Sequence, residues 1–204
     1  LGNTIEVETL LKKYGAEVAR WWVSSLAFEN DIKVDLSFFD IASDAYRKMR
    51  NTLRFLLSNL FDYPIDAPLT QQDIDTICRN CPDTSPEAYI LKRTQETLIT
   101  CRNAYQNFQY RELNQTLYQF CSNDLSSFYC MLVKDRLYCD KADSPRRRQT
   151  QACLHVITDT LCHLLTPILP HTSQEIFQTL YPNHDSIQTH THAFLTLDVQ
   201  ASPH

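Results

Sequence analysis

Residues 40–61 read DIASDAYRKMRNTLRFLLSNLF, and this stretch decides the fold. Ile41, Ala45, Met49, Leu53, Leu56 and Leu60 recur at spacings of three and four, which lines them along one face of an α-helix. Arg47, Arg50 and Arg54 fall on another face, with Asn51 beside them. A strand does not carry this pattern, because its side chains alternate with a period of two. Tyr63-Pro64 closes the element, since the residue before a proline is pushed away from helical geometry.

Downstream, residues 62–84 read as a polar connector with a short turn at 71–79. Thr84-Ser85-Pro86-Glu87 then signals a helix start, with threonine as the cap, glutamate three residues on and proline in the first turn. Leu91, Leu98, Cys101, Tyr105 and Phe108 continue on one stripe. A third helix is expected over 111–137, burying Leu113, Leu117, Phe120, Cys121, Leu125, Phe128 and Leu132. Ser144-Pro145 opens a fourth, whose apolar side carries Ala152, Val156, Leu161, Leu164 and Leu165. Pro167 and Pro170 break it, and Thr172-x-x-Glu175 repeats the capping-box pattern before Ile176, Phe177 and Leu180. Upstream, residues 5–25 read as mostly helical and 30–36 as extended. Only residues 193–199 alternate like a strand. Four long helices with short ones attached predict an all-α helical bundle.

Composition narrows the function. The chain has 204 residues, is 43% hydrophobic and carries a net charge of −5. It holds a real core, and its overall charge is unlike that of a generally basic nucleic-acid binder. Gly2 and Gly15 are the only glycines. Phosphate-cradling loops need several, because the backbone must approach the anion closely, so a nucleotide loop of the usual kinds is excluded after residue 16. Eight cysteines are present, four of them (Cys101, Cys121, Cys153, Cys162) inside apolar helical patterns. With no leader or long apolar span visible, they read as small hydrophobes of a cytoplasmic protein.

No catalytic constellation emerges. Cys78-x-x-Cys81 has metal-ligand spacing but lacks a second pair, so no metal is expected; the histidines are scattered. The cationic residues are more informative. Arg47, Arg50 and Arg54 form a stripe, Lys134 and Arg136 end one helix, and Arg146, Arg147 and Arg148 open another. Tyr46, Tyr110, Phe128, Tyr129 and Tyr138 lie close to them in sequence. Guanidinium groups grip phosphates and unpaired bases stack on rings; the same arginines would equally pair with acidic residues of neighbouring helices.

Several strings resemble class I aminoacyl-tRNA synthetases, and isoleucyl-tRNA synthetases in particular. Lys13-Tyr14-Gly15-Ala16-Glu17 with Arg20-x-Trp22 resembles the KYGAD-x-x-R-x-W segment after the signature loop, and Leu1-Gly2-Asn3 resembles the end of that loop. YRKMRNTLRFLL at 46–57, DLSSFY at 124–129, KDRLY at 134–138, and Arg146-Arg147 with Gln149-Thr150 followed by LLTPILPHT at 164–172 are similar to successive segments of those enzymes, the last pair to their RR-x-x-Q-T…LLAPILPHTAEE segment. The likeness runs in order from residue 1 to about 181. Thr166 stands where the family usually has alanine, and Glu17 where it has aspartate.

The resemblance implies three parts: residues 1–40 as the connector from the catalytic core, 41–182 as an anticodon-binding bundle, and 183–204 as a polar tail. It implies a monomeric module that holds the anticodon stem and loop of an isoleucine tRNA. ATP and magnesium would serve a catalytic domain upstream, whose HIGH-type motif and signature lysines this sequence lacks, so the chain by itself is expected to be inactive and to need no cofactor. Arg50, Asn51, Arg54, Lys134 and Arg136 are the matching positions expected at RNA, with Arg47, Tyr138, Arg146 and Arg147 as further candidates. Asn51 and Asp135 are equally candidates for buried helix–helix hydrogen bonds. The competing expectations are a helical protein–protein scaffold without RNA binding, and the equivalent domain of a valyl-tRNA synthetase.

Overall fold

A computed structural model describes residues 6–27 and 34–187, and all its regular structure there is helical. The strand expected at 193–199 lies outside the described residues. Two short helices, α1 (Val7–Tyr14) and α2 (Ala16–Ser24), meet at Gly15, whose φ of 83° is open to glycine and strained for other residues. Next come α3 (Leu36–Ser58), α4 (Gln71–Arg79) and α5 (Pro86–Gln106). The following rod consists of α6 (Tyr110–Gln119), a π-helical stretch (Phe120–Tyr129) and α7 (Cys130–Cys139). Then α8 (Pro145–Leu165) and α9 (Pro170–Leu180) complete the chain's helices among the described residues.

The start signals explain where most of these begin. Asp35 caps α3 by accepting from Ser37 N at 2.8 Å. The expected turn at 71–79 is a full helix, because Thr70 and Asp73 form a reciprocal capping box. Two other expected boxes are corrected. Ser85, not Thr84, caps α5 by accepting from Ala88 N, and Glu87 turns inward. The first turn of α9 already contains Thr172, whose hydroxyl donates to Glu17 of α2 at 2.7 Å. Glu17 also accepts from the backbone N–H groups of His171 and Thr172, so the cap on α9 comes from another helix, as its N-terminal dipole favours.

Cross-links between helices give the topology. Tyr46 meets Thr172 and Arg50 meets Glu175, so α3 and α9 run parallel. Gln151 donates to Asn59 O, which makes α8 antiparallel to α3. Glu87 lies near Thr150 and Tyr105 near Leu164, so α5 runs with α8. Arg93 meets Asp124 while Glu87 meets Arg136, so the rod runs against α5. The result is an up-down-up-down bundle of α3, α5, the rod and α8, with α9 against α3 and α8.

Helix α8 is buried around most of its girth, including Cys153, Leu154, Val156, Ile157, Leu161 and Cys162. The stripe drawn along α3 holds for Met49, Leu53, Leu56 and Leu60, but Ile41 is 67% exposed, because near the start of α3 it is Phe39 and Ala42 that turn inward, Phe39 against Tyr14 and Trp22. Phe108 likewise leaves the stripe of α5, sitting exposed at φ 56° in the α5–α6 turn. The rod departs from an unbroken α-helix where Ser122, Asn123, Asp124, Ser126 and Ser127 cluster. Such residues bond readily to nearby carbonyls, and Ser127 Oγ donates to Ser122 O, five residues back. The wider turn places Tyr129 inside and leaves Phe128 and Leu132 about half exposed.

Candidate nucleic-acid interface

The α1–α2 unit closes one end of the bundle. Arg20 donates to Ile168 O and Pro167 O, each at 2.7 Å, and Asn114 donates to Trp21 O and Ser24 Oγ. The opposite end is formed by the C-terminal turns of α3 and α7 and the first turn of α8. Most of the predicted RNA-facing residues collect at that distal end and along the outer side of α3.

Their environments differ sharply. Arg54 and Asn51 are exposed, and neither side chain has a hydrogen-bond partner among the described residues. The exposure of Asn51 and Asp135 removes both from the buried helix–helix role. Arg47 is exposed and pairs with Asp44 one turn away on α3, while Arg50 reaches Glu175 of α9 at 3.3 Å. Arg50, Asn51, Arg54, Thr172, Glu175 and Thr179 line a groove of about 320 Å³ between α3 and α9. Lys134 and Tyr138 are exposed on the outer side of α7. Arg146 is exposed but held by Asp140 through two contacts at 2.8 and 2.9 Å.

Two candidates belong to the interior. Arg147 is 6% exposed. It donates to both oxygens of Asp62, at 2.6 and 2.9 Å, and to Leu137 O. That fork holds the Asp62 carboxyl down at about 2. Arg136 donates to Glu87 at 2.6 Å, and Thr150 donates to the same oxygen at 2.9 Å. A third polar cluster ties α8 to the end of α9. Tyr181 donates to Asp159 at 2.7 Å and lies 2.8 Å from His155 Nε2. Burial lowers the His155 ring to about 4 and raises the Asp159 carboxyl.

Sequence reading missed Asp62, Glu87 and Asp159 as the acceptors of these clusters. Their one signal was a carboxylate beside or within an apolar run, which the capping-box reading of Glu87 absorbed. Cys78 and Cys81 sit at the end of α4, with the Cys81 thiol against Ile77 O. No group of three or more His, Cys, Asp or Glu side chains among the described residues is placed to hold a metal ion. No described helix is long and apolar enough to cross a membrane.

Residues 87–198 match the sequence profile of a family described as the anticodon-binding domain of tRNA ligase. The chain belongs to this family. As a tRNA-ligase anticodon-binding domain, it has curated relatives that carry a more specific name. It is 38% identical to the isoleucine–tRNA ligase of Pelagibacter ubique over 187 residues, which is 92% of the chain and 20% of that protein. It is 36% identical to the Lactococcus lactis isoleucine–tRNA ligase over 181 residues, 88% of the chain and 18% of the relative. The Desulforudis audaxviator isoleucine–tRNA ligase is 38% identical over 177 residues, 87% of the chain and 18% of its own length. The chain thus spans about a fifth of the length of these relatives, and the catalytic part of such enzymes lies outside the region it covers.

Proposed function

We propose that this anticodon-binding domain serves an isoleucine–tRNA ligase and grips the anticodon stem and loop of isoleucine tRNA. The observation that carries the reading is the set of exposed cationic, amide and aromatic side chains running along α3 to the end away from α1–α2: Arg47, Arg50, Asn51, Arg54, Lys134, Tyr138 and Arg146. Exposed arginines and lysines engage phosphates, and Tyr138 offers a ring for stacking an unpaired base. Arg136 and Arg147 support the interface from behind, through the buried Glu87 and the part-buried Asp62.

The joining of isoleucine to tRNA, with its ATP and magnesium, belongs in this reading to a catalytic part outside the chain. We place the protein in the cytoplasm, as a monomer acting within one polypeptide.

The test is binding of the chain to an isoleucine anticodon stem-loop at several salt concentrations. Phosphate contacts release counterions, so affinity falls steeply as salt rises. A flat or absent response to cognate and non-cognate loops alike would favour a protein–protein scaffold instead.

A further inference from the structure

The groove between α3 and α9 contains a carboxylate where a plain phosphate clamp would be spoiled by one. Glu175 faces into it beside Arg50, Asn51, Arg54, Thr172 and Thr179. Among the described residues its carboxylate has Arg50 as its partner, at 3.3 and 3.4 Å. Both side chains are more than half exposed, at 65% and 56%. A contact this long and this wet is held loosely, and its two ends are free to exchange partners. Arg54, one turn along α3, adds an unpaired guanidinium on the same side.

The groove therefore presents acceptors and donors side by side. A phosphate entering it meets repulsion from Glu175. A base edge that carries donors and acceptors meets complements for both. Guanine is the best match, because its N1–H and N2–H groups point together at one carboxylate while O6 accepts from a guanidinium. Uracil presents a single N–H between two carbonyl oxygens, and those oxygens would face the carboxylate. Single-stranded loops are where RNA splays such edges out for reading.

We propose that Glu175 is a specificity-determining residue which, together with Arg50, reads the Watson–Crick edge of an unpaired guanine seated between α3 and α9. The inference rests on the RNA-binding reading above and adds to it the chemistry of one base.

The experiment compares the wild-type chain with Glu175→Gln in binding hairpin RNAs whose anticodon loop carries guanine, adenine, cytosine or uracil at each loop position in turn. Fluorescence anisotropy at low salt reads the affinity. At one position the wild type should prefer guanine over uracil by about 10-fold or more, the scale of one good bidentate contact. Glu175→Gln keeps the shape, removes the charge and should erase most of that preference. Glu175 is exposed, so the substitution leaves the core untouched. Uniformly tighter binding with the preference intact would show Glu175 to be only a partner of Arg50 and overturn the proposal. So would a wild-type preference for adenine or cytosine in guanine's place. Wild-type chain that binds no loop at any salt concentration would instead sink the RNA-binding reading itself, and this inference with it.

Discussion

Arg136 of α7 donates to the carboxylate of Glu87 in the first turn of α5 across 2.6 Å, and Glu87 is only 3% exposed. Thr150 of α8 donates to the same oxygen. One buried carboxylate thus joins three helices at the end of the bundle that presents Lys134 and Tyr138. Replacing Glu87 with alanine strands a largely buried guanidinium. Glu87→Ala should lower the unfolding free energy by about 3 kcal/mol, the scale for breaking a buried pair from one side. Urea unfolding followed by circular dichroism measures it. A loss within the error of a surface substitution would show that Arg136 re-solvates freely.

In the proposed interface Arg54 contacts RNA, whereas Arg147 supports the fold from inside. Arg54→Ala should weaken anticodon stem-loop binding and reduce the dependence of log K on log salt by about 1, the value for one phosphate contact. Its unfolding midpoint should not move. Arg147→Ala should do the reverse: it removes the fork on Asp62 and a bond to Leu137 O, while Gln151 still donates to Asp62, and should cost on the order of 2 kcal/mol of stability. Equal effects of the two substitutions on both readouts would contradict this division.

The His155 ring, lowered to about 4 by burial, predicts sensitivity to mild acid. Its pKa is lower folded than unfolded, where the ordinary value is about 6.5. Above that value the ring is neutral in both states and pH has no effect through it. As pH falls from 6.5 towards 4, the unfolded chain takes up a proton that the folded chain refuses, so stability declines. The full loss by pH 4 is about 3 kcal/mol. His155→Gln retains an N–H for Tyr181 and should flatten the stability profile in this window. An unchanged slope in that variant would place the acid sensitivity elsewhere.

Gly15 tests backbone strain without crowding. A Cβ built there meets nothing within 4 Å, yet φ is 83°. Gly15→Ala should therefore cost about 1–3 kcal/mol from conformation alone, read as a lower thermal midpoint. No loss would mean that α1 and α2 re-angle without penalty.

The four long helices were legible because period and punctuation agreed in them: the 40–61 stripe, Ser144-Pro145, and Pro167 with Pro170. The cationic stripe of Arg47, Arg50 and Arg54 was legible for the same reason, since helical spacing alone puts these residues on one side. Three things were not. The capping role of Ser85 was hidden, because Thr84 and Glu87 satisfy the same local pattern while Glu87 finds better partners across the core. The π-helical turn was hidden, because Phe128 and Leu132 keep a plausible α spacing. The difference between Arg146 and Arg147 was also hidden. Adjacent in sequence, they point about 100° apart around a helix, and only the position of Asp62 tells which one is inside.

The fastening of α1–α2 to one end of the bundle, with the cationic side chains gathered towards the other, makes the bundle a ruler. Helix α8 spans it with 21 residues, about 31 Å at 1.5 Å per residue. That separation is set by helix lengths that must match one another, and steps of about a whole turn, 5.4 Å, are those that lengthen it while keeping the buried faces turned inward. Point substitutions change what the far end grips. They leave unchanged how far from α1–α2 that end stands.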